Sequence, residues 1–217
     1  MDLKKALKEY NEAAAAKRPQ EIIDIMTNSA EQLVKDKIGK NALAVGDKIP
    51  NFTLGNANGE EINIYDCLAE GPMVISFYRG AWCPYCNLEL KAYKDILPQI
   101  KELGANLVAI SPELPDNSFS LIEKHELGFE ILSDLENVVA KKFGLVFKLD
   151  EAIIEVYKKF GIDVEAGQGN DKYEVPLPAT YVIDGKGEIV MAYVNTDYTK
   201  RLEPSETLTA LSAIQNK

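Results

Sequence analysis

An apolar run that ends just before two closely spaced cysteines constrains this chain more than any other feature. Residues 73–78 read Met-Val-Ile-Ser-Phe-Tyr, and the sequence Cys83-Pro84-Tyr85-Cys86 follows after a short loop. A short apolar run of this kind predicts a strand buried on both faces of a sheet. Proline favours the first position of a helix. The pattern therefore predicts a buried strand that leads into a helix beginning at Pro84, with Cys83 as its N-cap.

This placement gives the two thiols different environments. The positive end of a helix dipole favours an anion at the N-cap, so we expect Cys83 to ionise readily and to attack as a thiolate. Cys86 belongs to a helical stripe with Leu90, Tyr93, Leu97 and Ile100, which points it inward. An exposed activated thiol backed by a second thiol one turn away suits two-electron redox chemistry.

Two other interpretations of the pair remain open. A single Cys-X-X-Cys could be half of a zinc site, although the other candidate ligands are only Cys67, His125 and carboxylates. A structural or inactive pair is the second. We predict a redox-active disulfide with no metal, no bound cofactor and an external thiol reductant. Cys67 could resolve an oxidised Cys83 or be an inert small hydrophobe.

The rest of the chain predicts an α/β fold with an N-terminal helical extension. Residues 1–45 form the extension, as two helices separated by Arg18-Pro19. The second helix carries an apolar stripe that we expect to pack on the main domain or on a second subunit, which would make a homodimer: Ile22, Met26, Ala30, Leu33 and Ile38.

Residues 46–217 form the redox domain, a central mixed β-sheet with helices on both faces. The predicted strands cover residues 51–54, 61–65, 73–78, 106–110, 129–132, 180–184 and 188–194. The predicted helices cover residues 84–103, 117–126, 135–143, 151–160 and 203–215.

Charge and composition exclude several functions. The formal net charge of -10 opposes binding to nucleic acid or to an anionic membrane surface. No signal segment or membrane span is predicted, so we expect a soluble cytoplasmic protein. Three cysteines are too few for a secreted disulfide framework and fit a reactive pair in a reducing compartment.

From these residues the chain resembles the peroxiredoxin-like AhpC/TSA family of the thioredoxin-fold superfamily. Peroxiredoxins carry Phe-Tyr-Pro, then Thr-X-X-Cys, with Glu three residues later. Aligned without gaps from residue 77, that pattern places the peroxide-reacting cysteine on Cys86 and the family glutamate on Glu89. Arg79 replaces the family proline, Cys83 replaces the threonine, and Pro178 lies where peroxiredoxins have arginine.

A second resemblance is to thioredoxin and glutaredoxin. Trp82-Cys83-X-X-Cys86 is similar to the thioredoxin motif, and Pro84-Tyr85 to the glutaredoxin pair. This resemblance implies a cis proline at Pro178, facing the disulfide. It also implies Cys83 as the attacking thiol, which we favour over Cys86. Arg79 could stabilise the thiolate or a peroxide oxygen, or could be a surface arginine at a strand end.

Three functions follow from the pair and its resemblances. The first is a peroxiredoxin-like antioxidant enzyme that reduces hydroperoxides and is restored by a thioredoxin- or glutathione-type reductant. The second is a thiol-disulfide oxidoreductase that acts on protein or glutathione disulfides. The third is a non-enzymatic redox sensor. The family-wide resemblance favours the first.

The sequence predicts that Cys83 and Cys86 form a reversible disulfide. Because the middle pair resembles that of glutaredoxin, we expect a potential of roughly -270 to -180 mV. Titration in glutathione buffers, with the linkage identified by mass spectrometry, measures it. A pair that stays reduced throughout, or that purifies with zinc, would contradict the prediction.

Overall fold

The computed structural model describes residues 1–215. The α-helices are α1 (Leu3–Ala15), α2 (Gln20–Lys35), α3 (Ile64–Glu70), α4 (Pro84–Glu102), α5 (Pro115–His125), α6 (Val138–Lys142), α7 (Glu151–Lys159), α8 (Val164–Gln168) and α9 (Ser205–Gln215). The strands are β1 (Thr53–Asn56), β2 (Glu61–Asn63), β3 (Met73–Phe77), β4 (Asn106–Ser111), β5 (Glu130–Ser133), β6 (Val146–Lys148), β7 (Glu174–Pro176), β8 (Ala179–Ile183) and β9 (Ile189–Val194).

Seven of these strands form one mixed sheet in the order β2-β1-β5-β4-β3-β8-β9. β3 pairs in parallel with β4 and antiparallel with β8. β3 therefore lies in the interior of the sheet, and core residues pack on both of its faces, so every residue of the strand is buried, as its apolar sequence predicted. The predicted mixed sheet with helices on both faces is confirmed.

Alternation along β3 divides the protein core into two layers. Met73, Ile75 and Phe77 contribute to one cluster, together with residues of α6 and α7. Val74 contributes to the other cluster, which contains the buried face of α4 and both cysteines of the pair. Because successive side chains of a strand point to opposite faces, one strand supports both layers.

The two N-terminal helices form as predicted and pack against the domain. Leu3 and Leu7 of α1 are buried in the cluster that contains α4. Ile22 of α2 is buried on the other side of the sheet, where Met26 and Leu33 pack against the core. The apolar stripe of α2 therefore covers its own domain. Whether residues 1–45 are a separate unit, or part of a homodimer contact, stays a prediction.

Short elements account for the differences from the sequence-based prediction. The predicted strand 61–65 ends at Asn63, whose side chain accepts from the N–H groups of Tyr65 and Asp66 at 2.9 and 3.3 Å and caps α3. The predicted helix 135–143 starts as a single 3-10 turn, Leu135–Asn137, and the positive φ of Glu136 and Asn137 breaks the helix before α6 begins. α3, α8, β6 and β7 were not predicted.

Truncation of the buried face of α1 tests how firmly the extension is held. Leu7→Ala should lower the free energy of unfolding by about 2 kcal/mol, because the side chain leaves a partly closed cavity. Glu9→Ala, on the exposed face of the same helix, should change it by less than about 0.5 kcal/mol. Urea denaturation measures both, and equal effects would show that α1 is not docked in solution.

Candidate redox site

A tight loop carries the chain from β3 to the cysteine pair. Gly80 has φ of 150°, and a Cβ there would collide with the Trp82 indole and lie 2.9 Å from Cδ of Glu113, so only glycine fits. The Ala81 N–H donates to Glu113 Oε2 at 2.6 Å. The Cys83 N–H donates to the Gly80 carbonyl at 3.1 Å. These contacts fix the start of α4.

Cys83 is the N-cap of α4 and Pro84 its first residue, as predicted. The Cys83 sulfur makes no capping hydrogen bond in the first turn. The expectation of an exposed thiol is wrong, since Cys83 is 1% exposed. Instead, Cys83 lines a cavity whose other walls include the N-terminal extension and the segment around Tyr157.

The two thiols differ in acidity. Burial opposes ionisation of Cys83, but a hydrogen bond from the Cys86 thiol and two positive charges outweigh it and lower the pKa of Cys83 to about 6. The charges belong to Arg79 and Arg201. For Cys86, burial and the charge of the Cys83 thiolate raise the pKa well above its usual range. Cys83 therefore ionises first.

A buried ion pair lies behind Cys86. Arg201 Nε donates to Glu89 Oε2 at 2.7 Å, and Arg201 Nη2 donates to the Cys86 sulfur at 3.3 Å. Arg201 Nη1 donates to the carbonyls of Tyr198 and Lys200. Burial raises the pKa of Glu89 to about 7, although the Arg201 charge acts in the opposite direction. Glu89 thus positions the guanidinium that faces Cys86.

Arg79 is the second buried cation. It is 2% exposed, it donates to the Tyr157 hydroxyl, and its carbon Cζ lies 4.7 Å from the Trp82 ring centroid and 4.5 Å from that of Tyr198. The interpretation of Arg79 as a surface residue is wrong. Within the described residues it forms no ion pair with a carboxylate, so the Cys83 thiolate is the charge that it faces.

The cavity next to Cys83 has a volume of about 510 Å³. Trp82, Tyr85 and Pro84 help to line it, which brings these sequence-predicted residues together with Cys83 and Arg79. The remaining lining residues come from both N-terminal helices, the loop between them, and more distant segments: Tyr10, Ala14, Lys17, Arg18, Met26, Tyr157, Phe160, Ile162 and Tyr198. The site is therefore assembled from widely separated parts of the chain.

Two of the residues considered in the sequence do not join the site. Pro178 is buried just before β8 and is not among the residues that line the cavity, and its bond to Leu177 is trans, so the predicted cis proline is wrong. Cys67 lies on α3 and packs against the opposite core cluster from Cys83. Burial and the charge of Glu70 raise the pKa of Cys67, which leaves its thiol unactivated.

Arg18, Glu113 and Arg201 belong to the site but were not predicted from the sequence. A signal was present, because the chain has 24 lysine and arginine residues and only three of them are arginines, all at this site. Arginine keeps its charge when buried, and lysine gives it up more readily. A second signal was Glu89, which lies three residues after Cys86 and therefore on the same face of α4, since a buried carboxylate requires a cation.

The fold and the paired thiols define a thiol redox protein of the thioredoxin-like class. Residues 45–192 match the AhpC/TSA family, and the chain belongs to that family.

Individual relatives agree with this membership. The chain is 31% identical over 105 residues to peroxiredoxin Bcp of Escherichia coli (strain K12), an alignment that covers 48% of this chain and 67% of that protein. It is 26% identical over 188 residues to chloroplastic peroxiredoxin Q of Populus jackii, covering 87% and 75%. The crystal structure of peroxidoxin BcpB from Mycobacterium tuberculosis has the same fold, with a TM-score of 0.63 and 23% identity over 79% of this chain and 98% of that one.

Metal binding and membrane insertion find no support in residues 1–215. In this range no group of three or more His, Cys, Asp or Glu side chains is arranged to hold a metal ion. None of the helices described there combines the length and apolar character needed to cross a bilayer.

The pKa of Cys83 gives a prediction for pH dependence. The rate of its alkylation by iodoacetamide should rise with pH through about 6 and level off above, because the thiolate is the reacting form. Arg79→Gln should move the midpoint upward by about one to three pH units, since it removes a neighbouring positive charge. Lys91→Gln, which removes an exposed charge from α4, should not move it. A wild-type midpoint near that of free cysteine would show that the two arginines do not activate Cys83.

Proposed function

We propose that this protein is a thiol peroxidase in which Cys83 attacks the hydroperoxide and Cys86 resolves the oxidised product. The observation that carries the proposal is the position of Cys83, which lines a cavity beside Arg79, a buried cation with no carboxylate partner among residues 1–215. The lowered pKa of the Cys83 thiol agrees with this role. Family membership supports the reaction type. Sulfur itself carries the electrons, so the cycle requires no prosthetic group.

In the first step the Cys83 thiolate attacks the terminal oxygen of the hydroperoxide. The oxygen–oxygen bond breaks, its electron pair leaves with the alkoxide, and a proton from solvent gives the alcohol. Cys83 becomes a sulfenic acid. Negative charge moves from the sulfur to the departing oxygen, where the Arg79 guanidinium, fixed in a buried position, can stabilise it.

In the second step Cys86 attacks the Cys83 sulfur. Oxidation removes the Cys83 thiolate charge that, together with burial, raised the pKa of Cys86, while the attraction of Arg201 remains, so Cys86 ionises more readily than it does beside the thiolate. The Cys86 thiolate forms the disulfide, and the hydroxyl group of the sulfenic acid leaves with a proton as water. A thioredoxin- or glutathione-type dithiol or thiol then returns both cysteines to the reduced state.

The opposite assignment of the two thiols also has an observation in its favour. The contact of Arg201 with Cys86, supported by Glu89, gives that sulfur a cation of its own. Against it stand the raised pKa of Cys86 and its position away from the cavity wall, which Cys83 lines and Cys86 does not. We therefore favour Cys83 as the peroxide-reacting thiol.

A thiol-disulfide oxidoreductase is the second candidate function. The motif Trp82-Cys83-X-X-Cys86, with Cys83 as the N-cap of a helix, favours it. A folded protein disulfide must approach the attacking sulfur within bonding distance, and the 1% exposure of Cys83 opposes this. The burial of Cys83 therefore favours small substrates over protein disulfides.

Single-cysteine variants test which thiol attacks. Cys83→Ser should abolish the reaction with peroxide, whereas Cys86→Ser should leave Cys83 trapped as a sulfenic acid or as a mixed disulfide with an added thiol. Stopped-flow fluorescence of Trp82, the single tryptophan, follows each step. Cys67→Ser is the matched control and should keep the wild-type rate, because Cys67 lies in the other core layer.

Rates with two classes of oxidant separate the candidate functions. A peroxidase should react with hydrogen peroxide or an organic hydroperoxide well above the rate of a free thiolate at the same pH, because positioned donors stabilise the leaving oxygen. A peroxide rate equal to that of free cysteine, together with fast exchange with a disulfide, would favour the oxidoreductase. A sulfenic acid trapped on Cys86 would reverse the assignment of the two thiols.

A further inference from the structure

The cavity beside Cys83 is positively charged along its depth. Lys17 is exposed, Arg18 is half-buried and Arg79 is buried, so the three cations extend from the surface to the thiol. None of the fourteen residues that line this cavity is acidic. The chain as a whole carries a net charge of -10, which makes this a local positive site in an acidic protein.

Two of these cations lack an anionic partner on the protein. Across residues 1–215, neither Arg18 nor Arg79 lies in an ion pair with a carboxylate, and Nε of Arg79 has no hydrogen-bond partner. Arg79 faces the Cys83 thiolate, whereas Arg18 acts on the neutral Tyr85 hydroxyl, so no anion in this range balances its charge. Arg18 is held over the Phe160 ring, with its Cζ 5.8 Å from the ring centroid. A guanidinium positioned in this way matches a carboxylate in charge and geometry.

The remaining walls are apolar and aromatic. Six aromatic rings line the cavity, together with Met26 and Ile162: Tyr10, Trp82, Tyr85, Tyr157, Phe160 and Tyr198. The volume of about 510 Å³ is typical of a site for an organic ligand and far exceeds what hydrogen peroxide requires. The ligand that fits has an apolar body and a negative group.

A neighbouring cavity of about 490 Å³ shows why the ligand would be directed toward Cys83. It shares Arg18, Met26, Tyr85 and Tyr198 with the first cavity, but Glu31 and Asp197 also line it. Those carboxylates would repel an anion. Arg18, on the border of both cavities, therefore offers its charge to a carboxylate on the side that contains the thiol.

We propose that the N-terminal extension completes the active site, with Arg18 binding the carboxylate of a small ligand whose apolar body lies on the aromatic wall and whose reactive group lies at Cys83. The inference deepens the proposed peroxidase function and rests on it for the identity of the reaction. Two sources share this chemistry, an organic hydroperoxide that bears a carboxylate and a thiol reductant that bears one.

Matched ligand pairs test the subsite in each half of the cycle. In the oxidising half, the reduced protein is mixed with cumene hydroperoxide or its para-carboxylate. In the reducing half, the oxidised protein is mixed with para-mercaptobenzoate or para-mercaptobenzyl alcohol. For each pair we take the ratio of the two second-order rate constants and compare this ratio between protein variants. The comparison removes the difference in intrinsic reactivity between the two ligands.

Arg18→Gln should lower the ratio of the carboxylated to the uncharged ligand about tenfold in the half-reaction that uses the subsite. Arg18→Lys should restore part of it, because the charge returns without the paired donors. Lys5→Gln, which removes an exposed cation of α1 outside the cavity, should leave the ratio unchanged. Added salt should lower the wild-type ratio more than that of Arg18→Gln.

The half-reaction in which the ratio changes identifies the source of the carboxylate. Equal ratios in the wild type and Arg18→Gln in both halves would overturn the subsite. If hydroperoxides instead react no faster than with free cysteine, the proposed peroxidase function fails, while the reducing half still tests Arg18. Far-ultraviolet circular dichroism of each variant, together with the Arg18→Lys result, separates loss of charge from loss of fold.

Discussion

Positive charge held in a water-poor region governs the chemistry of this site. Arg79 and Arg201 are almost fully buried, and each faces one sulfur of the pair. A buried cation is costly unless an anion lies beside it, so the thiolate form of Cys83 is favoured by the same charges that the fold has enclosed. Glu89 balances Arg201, while Arg79 has no carboxylate partner among the described residues. This asymmetry assigns different roles to two otherwise similar thiols.

The architecture maintains that environment through a few rigid elements. β3 is held between β4 and β8, and the loop after it is fixed by Gly80 and Glu113, so the start of α4 has little freedom. Helix α1 packs on α4, and Tyr85 links the two, donating to Asn11 Oδ1 at 2.5 Å. Burial of the thiols is therefore a property of the extension and the sheet domain together. The extension contributes walls to the site as well as stability.

Much of the site lies outside the part of the chain that matches the family. Residues 45–192 contain Arg79, the two cysteines and Glu89, but neither Arg18 nor Arg201. At the position where the resemblance expects the family arginine, the chain has Pro178. Arg201, beyond β9, brings a guanidinium to Cys86 from another point in the sequence. Arg201 thus supplies a cation near the cysteine pair from a different position than the family arginine.

The sequence by itself determined the strand–loop–helix that presents the cysteines. Three local patterns predicted it: the apolar run at 73–77, the proline at position 84 and the inward stripe of α4. Each of these patterns depends only on residues that are close together in the sequence. Both N-terminal helices and most strands were predicted on the same basis. Short elements such as β6 and β7 were not, since three residues carry too little periodicity.

Only the tertiary structure decided the surroundings of the thiols. Cys86 and Arg201 are 115 residues apart in the sequence, and Arg18 and Cys83 lie on opposite sides of the family boundary at residue 45. No local pattern encodes such contacts, because they arise from the packing of whole helices on both faces of the sheet. The burial of Cys83, the trans bond before Pro178 and the positive cavity are consequences of that packing, and they determine how the motif can react.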